Sequence, residues 1–372
     1  MKKIAFLLMI VMAISLFAGC AKSADTVTLN VLNWGDYIDE ELITRFEDET
    51  GIKINYTTLA NNEEMLVKLQ QEDCIYDLCF PSDYIIEKLI GMDLLHEINK
   101  DNIPNLKNID PRFMDLDFDP DNKYSIPYMW GTVGILYNTT MVDDPVNSWD
   151  ILWNEKYSGQ ILMYNSIRDT IGITLMKLGC SINTRNEADI AAAEEALIAQ
   201  KPLVQAYLGD DIKDRMIGGG AALAVVYSGD AMWCMDPEDG NPDLAYACPD
   251  SGTNLWFDNI IIPKTSKHAA EAEKFIDFLC EPDVAAQNAE YIGYSTPNSA
   301  ALELMGAGYI DNPTYNPDPA YLEKCEIFHD LGDFINVYND AWMRIISKYM
   351  AATKPPPYQF GRGFYNTRGF TL

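Results

Sequence analysis

The chain has 372 residues, 48% of them hydrophobic and 22% charged, which is the composition of a folded globular protein and not of a disordered one. This length exceeds the size at which one hydrophobic core keeps growing, about 250–300 residues, so two lobes are expected. The formal net charge of −29 repels nucleic acids and anionic lipid and attracts cations, which argues against a nucleic-acid partner. The same charge also fits a simpler interpretation, an acidic surface that only keeps the protein soluble.

The first residues have the form of a secretory signal. Met1-Lys2-Lys3 precede an apolar run over residues 4–18, which is shorter than the roughly 20 residues that span a bilayer. The run ends in Leu16-Phe17-Ala18-Gly19-Cys20, which resembles a bacterial lipobox. That resemblance implies removal of residues 1–19, a lipid on Cys20, a tether over residues 20–26 and an extracytoplasmic, membrane-anchored protein. The alternative is an ordinary signal peptide with an incidental cysteine.

Strands and helices alternate in the first part of the chain. A strand over residues 27–32 leads into Asn33-Trp34-Gly35-Asp36-Tyr37, and a helix capped by Asp39 follows. A later strand over residues 75–80 leads into Pro81-Ser82-Asp83-Tyr84, where Ser82 is a candidate helix cap. This alternation predicts an α/β fold with a mostly parallel sheet. Ligands of such sheets bind in loops beyond the carboxyl ends of the strands. The two segments that contain aromatic and acidic residues, Trp34 to Tyr37 and Ser82 to Tyr84, lie in loops of that kind.

The second part repeats the alternation after a crossover at Trp130-Gly131. Strands are predicted over residues 132–137, 160–164, 203–207 and 222–227, and helices over residues 167–178 and 187–200. Tyr227-Ser228-Gly229-Asp230 again places aromatic and acidic side chains at a strand end. Later helices are predicted over residues 266–280, 282–292, 319–328 and 334–349, and a loose tail over 351–372.

One strand brings an aromatic ring and a carboxylate together. Trp256 and Asp258 are two residues apart before a β-branched run ending at Pro263, so both project from the same face of a strand. A π-face beside a negative charge is what a desolvated alkylammonium needs. The alternative is a core tryptophan and a capping aspartate.

Five motifs follow one another along the chain: Asn33 to Tyr37, Asp77 to Ser82, Tyr124 to Tyr128, Trp256 to Asp258 and Ile292 to Asn298. In this order they resemble the motifs of the spermidine/putrescine-binding proteins of bacterial ABC transporters. The resemblance implies a bilobal, type II periplasmic-binding-protein-like fold that closes on a polyamine. It also implies a monomer that delivers its ligand to the permease and ATPase subunits of an importer. The predicted lobes are residues 27–131 plus 257–300, and 132–256 plus 301–350, with a second crossover at Leu255-Trp256.

The same resemblance supplies candidate ligand-binding residues. The aromatic candidates are Trp34, Tyr37, Tyr84, Tyr227, Trp256 and Tyr294, the carboxylates are Asp36, Asp169, Asp230 and Asp258, and Ser82 supplies a hydroxyl. Asp83, beside Ser82, is a further possible acceptor. Tyr227 stands where a tryptophan is usual, and Ser166 where spermidine-preferring relatives carry an aspartate. Asp230 matches a carboxylate of putrescine-preferring relatives, which favours putrescine.

Other classes of function lack sequence support. No Cys-x-x-Cys pair occurs and the three histidines are scattered, so neither a metal nor a cofactor is expected. A secreted carboxylate-dependent hydrolase is the enzymatic alternative, but no nucleophile elbow or phosphate-binding loop is present. A binding protein for another small cationic or polar solute is the nearer alternative. The carboxylate of an amino-acid ligand would call for an arginine in the cleft. The candidate loops contain almost no arginine, and Arg168 is the exception.

Overall fold

The computed structural model describes residues 26–59 and 61–352. The predicted signal peptide, Cys20, nearly all of the tether and all but the first two residues of the predicted tail lie outside these ranges. The strands are Thr28–Trp34 (β1), Lys53–Leu59 (β2), Leu78–Cys79 (β3), Ser125–Asn138 (β4), Ile161–Tyr164 (β5), Val204–Leu208 (β6), Leu223–Tyr227 (β7), Leu244–Ala247 (β8) and Leu255–Ile261 (β9).

Helices connect most of these strands. They are Glu40–Thr50 (α1), Asn62–Leu69 (α2), Asp83–Gly91 (α3), Ile167–Lys177 (α4), Glu187–Gln200 (α5), Asp211–Ile217 (α6), Ser228–Cys234 (α7), Ala269–Leu279 (α8), Pro282–Ile292 (α9), Ser299–Met305 (α10), Ala307–Ile310 (α11), Pro319–Leu322 (α12) and Ile335–Ala352 (α13). Short 3₁₀ turns fill many of the remaining connections. Among the described helices, none combines the length and apolar character needed to cross a membrane.

Local sequence signals explain several helix ends. Asp39 accepts a hydrogen bond from the Glu41 amide (2.9 Å) at the start of α1, and Gly51 ends that helix with φ 73°. Helix α9 begins with Pro282 and ends at Gly293, which has φ 85°. Both ends of α5 agree with the prediction.

The sheet is mixed, and the expectation of a mostly parallel sheet is wrong. Its order is β2-β1-β3-β9-β4-β7-β5-β6, with β8 paired to β4. The β1–β2, β1–β3, β5–β6 and β5–β7 pairs are parallel, whereas every pair that involves β4 or β9 is antiparallel. The strand-helix alternation predicts the parallel pairs on either side. The alternation does not reveal that β4 and β9, in the middle of the sheet, run antiparallel to their neighbours.

Strand β4 belongs to both lobes of the molecule. Its first half, from Ser125 to Thr132, pairs with β9, and its second half, from Val133 onward, pairs with β7 and β8. Thirteen of its 14 residues are buried, since neighbouring strands and helices cover it along almost its whole length. The fold is therefore a bilobal α/β architecture in which β4 continues from one lobe into the other.

Gly131 permits close packing where β4 changes partners. It stands opposite Trp256 of β9. A Cβ atom at this position would lie 2.6 Å from both the Trp256 ring and the Ser228 hydroxyl oxygen. Such distances are far below van der Waals contact, so only glycine lets the indole lie against the backbone of β4.

Two predicted elements are shorter than expected. The helix predicted over residues 319–328 stops at Leu322, because the backbone of Glu326 instead hydrogen-bonds to Thr253 and Leu255 at the start of β9 (3.0 and 2.9 Å). The strand predicted over residues 75–80 is reduced to β3. Before it, the Asp77 carboxylate accepts a hydrogen bond from the Asn30 amide (2.9 Å), so a side chain replaces a carbonyl in the ladder.

We expect Gly131→Ala to destabilise the protein by about 1–3 kcal/mol, because the added methyl group must displace the indole of Trp256 or the side chain of Ser228. Urea unfolding followed by circular dichroism measures the change. Gly91→Ala is the matched control, since a Cβ there meets no atom within 4 Å. Equal stability of the two variants would contradict the packing role of Gly131.

Candidate ligand-binding site

The Asp258 carboxylate is a buried, hydrogen-bonded acidic group at the junction of the lobes. It is 7% exposed and accepts hydrogen bonds from the hydroxyl groups of Tyr37 (2.9 Å) and Ser82 (2.6 Å). Ser82 occupies the predicted cap position of α3, but its side chain makes no capping hydrogen bond. It accepts instead from the Asn62 amide (2.9 Å). The Ser82 hydroxyl therefore accepts one hydrogen bond from the Asn62 side chain on α2 and donates another to Asp258.

Burial raises the pKa of Asp258 to about 6, while the hydrogen bonds from Ser82 and Tyr37 oppose that rise. The indole N–H of Trp34 lies close enough to lower the pKa further, although it forms no hydrogen bond to any described residue. Several donors therefore converge on one desolvated carboxylate. A cation placed there would gain a strong partner, since desolvation strengthens charge-charge attraction.

Five aromatic rings form a continuous row beside Asp258. The ring centroids of Tyr37 and Tyr294 are 5.8 Å apart, those of Tyr294 and Trp256 5.1 Å, and those of Trp256 and Tyr227 5.9 Å. Tyr164 extends the row at 4.8 Å from Tyr227. All four contacts are edge-to-face, a favourable arrangement for aromatic pairs. We call these five residues the aromatic row.

Three tyrosines of the aromatic row each donate a hydroxyl proton to a different buried carboxylate. Tyr37 donates to Asp258, Tyr294 donates to Asp230 (3.0 Å) and Tyr227 donates to Asp169 (2.7 Å). The exposed fractions of Asp169, Asp230 and Asp258 are 6%, 7% and 7%. Three desolvated carboxylates along one row of rings form a site whose chemistry favours an elongated cation.

Backbone and neighbouring side chains hold the second-lobe carboxylates in place. Ser166 caps α4 and also donates its hydroxyl proton to Asp169 (2.6 Å). Asp230 lies in the first turn of α7, next to Gly229. A Cβ on Gly229 would lie 1.9 Å from the Tyr294 ring, so glycine is needed for this ring to reach Asp230. Burial raises the pKa of Asp230, and the ammonium group of Lys213 opposes that rise.

Asp83 and Asp36 lie outside this network. Asp83 is fully buried, and its two carboxylate oxygens accept hydrogen bonds from the backbone amides of Tyr84 (2.7 Å) and Phe257 (3.1 Å). Burial raises its pKa well above the ordinary carboxyl range. This geometry points to an anchor for β9 and away from a ligand contact. Asp36 is exposed in the loop after β1 with φ 48°.

Tyr84 and Trp34 flank the aromatic row without joining it. The guanidinium carbon of Arg168 lies 5.3 Å from the Tyr84 ring centroid, and Phe328 packs at 6.3 Å from it. The Tyr84 hydroxyl donates to Glu63 (3.3 Å). Trp34 is half-buried at the end of β1, near Asp258.

The sequence did not point to two residues that the structure places at the candidate site. Tyr164 ends β5, and an aromatic residue at a strand end was the very signal that identified Tyr227. Lys213 lies on α6, a helix that was not predicted, with its ammonium nitrogen 3.6 Å from Asp230. Over residues 26–59 and 61–352, no group of three or more histidine, cysteine, aspartate or glutamate side chains could hold a metal ion.

Two α/β lobes joined by adjacent strands, with an acidic and aromatic site at their junction, define the class of solute-binding proteins that close around small ligands. The chain belongs to the bacterial extracellular solute-binding protein family, whose profile matches residues 41–321. Membership in that family indicates an extracytoplasmic location.

Named relatives support this assignment over nearly the whole chain. The spermidine/putrescine-binding periplasmic protein of Salmonella typhimurium is 35% identical over 335 residues, covering 90% of this chain and 95% of the relative. The solved structure of the spermidine/putrescine ABC transporter substrate-binding protein of Streptococcus pneumoniae is 38% identical with a TM-score of 0.78, covering 87% and 100%. A lipoprotein of Treponema pallidum is 26% identical with a TM-score of 0.78, covering 86% and 99%.

The raised pKa of Asp258 predicts a pH-dependent stability of the ligand-free protein. The folded protein protonates Asp258 near pH 6, whereas the unfolded chain does so near 3.9. Stability should therefore rise as the pH falls between these values, by about 1 kcal/mol from pH 7 to pH 5 for this one group. Asp258→Asn should remove that gain, as measured by urea unfolding at both pH values.

The control is Asp48→Asn, which changes an exposed carboxylate on α1 and should leave the pH dependence of the parent intact. If Asp258→Asn keeps the same difference in unfolding free energy between pH 7 and pH 5, Asp258 is not the desolvated acid that its surroundings indicate.

Proposed function

We propose that this protein captures a polyamine outside the cytoplasm and delivers it to an ABC importer. The observation that carries the proposal is the set of three buried carboxylates, Asp169, Asp230 and Asp258, each hydrogen-bonded to a tyrosine of one aromatic row. Relatives named for binding spermidine and putrescine support the choice of ligand.

The arrangement matches the chemistry of a polyamine. An ammonium group has three donors and no acceptor, so its burial requires carboxylates and neutral oxygens. Asp258, Ser82 and Tyr37 supply them in one lobe, and Asp230 and Asp169 supply them in the other. The methylene chain between the charges suits the flat walls of Tyr294 and Trp256. Each cation–π contact adds about 0.5–2 kcal/mol.

Putrescine is the ligand that we favour within this class. Ser166 carries no charge and donates its hydroxyl proton to Asp169, so it adds no negative charge for a third ammonium. Asp230 lies on α7 in the second lobe and is hydrogen-bonded to Tyr294, and it is the carboxylate that we expect the second ammonium of a diamine to approach.

We further propose that the protein binds and does not catalyse. Its relatives are named as binding proteins. A pKa near 6 would suit Asp258 for acid–base chemistry, but two hydroxyl donors already occupy its oxygens and hold it as an acceptor. A buried acceptor of this kind favours the binding of an ammonium.

We propose that the lobes close over the ligand by a hinge at the β4–β9 crossovers near Gly131 and Trp256. The lobes predicted from the sequence are residues 27–131 plus 257–300, and 132–256 plus 301–350. We move one boundary to a point after α10, because that helix packs against α9. The proposed lobes are then residues 27–131 plus 257–305, and 132–256 plus 306–350.

Contacts between α3 and the segment at residues 328–330 support such a closure. Asp330 donates its amide proton to Glu87 (2.8 Å), and Glu87 also lies 3.2 Å from the ring nitrogen of His329. Asn183 and Arg168 tie the same segment to the second lobe through His329.

We propose that a lipid on Cys20 anchors the protein, as a monomer, to the outer face of the cytoplasmic membrane or in the periplasm. The lipobox-like sequence before Cys20 supports the anchor. A relative named as a lipoprotein adds to that support. The partners would be the permease and ATPase subunits of the importer.

Asp258→Asn should weaken polyamine binding about 30-fold or more, because loss of one partner of a buried, hydrogen-bonded charge pair costs about 2–5 kcal/mol. Trp256→Leu should cost less, about 1–2 kcal/mol, since the π-face goes and apolar area remains. Isothermal titration calorimetry with putrescine measures both. Asp36→Asn makes the same chemical change on an exposed carboxylate and should stay within threefold of the parent. Binding by a folded Asp258→Asn protein within threefold of the parent would place the site elsewhere.

Ligand binding should reduce the radius of gyration, since the proposed contacts come from both lobes and favour their approach. Small-angle X-ray scattering with and without saturating putrescine measures this. With putrescine at about ten times the parental Kd, the parent is about nine-tenths occupied and Asp258→Asn at most about one-quarter, so this control variant should remain much closer to the unliganded profile. An unchanged parental profile at saturation would contradict closure.

Cys20→Ser should release the protein from the membrane, because the thiol is the proposed site of lipid attachment. Cell fractionation followed by immunoblotting measures the distribution. Cys325→Ser is the control, since this cysteine is a half-buried free thiol far along the chain. A Cys20→Ser protein that stays as firmly membrane-bound as the parent would show that the anchor lies elsewhere.

A further inference from the structure

Lys213 brings a positive charge of the protein itself to the proposed ligand site. It lies on α6, which packs against α7, the helix that carries Asp230. The ammonium nitrogen of Lys213 is 3.6 Å from the Asp230 Oδ1 atom, and the lysine side chain is 31% exposed. The same oxygen accepts the hydroxyl proton of Tyr294. One side of the Asp230 carboxylate therefore already has a cationic neighbour.

The surroundings keep this lysine charged. Partial burial lowers the pKa of Lys213, but the negative charges of Asp230 and Asp210 outweigh burial and raise it. The negative charge of Asp210 also acts on Asp230 and on Tyr164 of the aromatic row, so two carboxylates and the Lys213 ammonium lie near this end of the site. A fixed ammonium remains beside a carboxylate that is 7% exposed.

The other oxygen of Asp230 is open to a second partner. Oδ2 is buried and accepts no hydrogen bond from the part of the chain that the structure describes. A ligand ammonium that approaches Oδ2 meets a carboxylate whose charge is partly screened by Lys213. It also experiences repulsion from that lysine, and the repulsion grows with each further positive charge on the ligand.

We propose that Lys213 is a resident ammonium that screens Asp230 and thereby makes the site select diamines over triamines. This inference rests on the proposed function and identifies the residue that gives the proposed polyamine site its preference for diamines. Removal of the lysine charge makes the site more negative by one unit. That change attracts a triamine more strongly than a diamine, because electrostatic attraction scales with the charge of the ligand.

The test compares affinities for putrescine and spermidine by isothermal titration calorimetry in the parent, Lys213→Gln and Lys213→Arg. We expect Lys213→Gln to shift the ratio of the two affinities toward spermidine by about tenfold. Lys213→Arg keeps the charge and should keep the parental ratio. The control is Lys53→Gln, which removes a lysine charge on β2, where Lys53 pairs with Glu47 (2.8 Å).

The ratio separates selectivity from a structural effect, since a general loosening of α6 would weaken both amines alike. An unchanged ratio in Lys213→Gln, or an equal loss of both affinities, overturns the inference. A shift of the same size in Lys213→Arg or in Lys53→Gln also overturns it. Because Lys213 is about one-third exposed, we expect both of its variants to fold, and thermal unfolding verifies this. A parent that binds neither amine would contradict the proposed function itself.

Discussion

The antiparallel pairing of β4 with β9 is the constraint on which the site depends. It sets Gly131 opposite Trp256 and Met129 opposite Asp258, so the ring and the carboxylate are fixed at the place where β4 changes neighbours. Asp83 reinforces this register by accepting a hydrogen bond from the Phe257 amide. A shift of one residue would turn the side chains of both Trp256 and Asp258 to the opposite face of β9. The backbone therefore determines the chemistry of the site before any ligand arrives.

Desolvation of the acidic groups is the second constraint. A buried carboxylate without partners is strongly unfavourable, and hydroxyl donors from Tyr37, Tyr227 and Tyr294 offset much of that cost. A ligand ammonium would then add a charge to an existing hydrogen-bonded arrangement and need not assemble it. The rings whose hydroxyl groups satisfy the carboxylates also supply apolar walls. One residue type thus serves both the polar ends and the apolar middle of an elongated cation.

Local signals in the sequence predict much of the fold and part of the site. Helix α5 agrees at both ends with its pattern, and Trp256 and Asp258 both lie on strand β9, as the β-branched run after them predicts. Strand direction was not predictable in the same way. The antiparallel course of β4 and β9 depends on contacts between residues more than 100 positions apart, which no local pattern records.

The remaining differences between the predicted and the observed site concern side chains whose direction or helix the local sequence does not determine. Ser82 and Asp83 are adjacent, yet Ser82 contacts Asp258 whereas Asp83 turns to the backbone of β9. Lys213 lies on a two-turn helix, which is too short for a hydrophobic period to be recognised. In both cases tertiary packing, and not the local sequence, decides the partner of the side chain.

The division of β4 between the lobes also has a consequence for biogenesis. The first-lobe sheet is complete only when β9 has inserted between β3 and β4, so its assembly awaits residue 261. Until then β4 has an unpaired edge, and the loop that must close to pair it is long, which slows folding. The first sheet therefore stays incomplete until about two-thirds of the polypeptide has been synthesised. Such a delay accords with the extracytoplasmic location that family membership indicates, since a sheet that forms late does not close before most of the chain has been made.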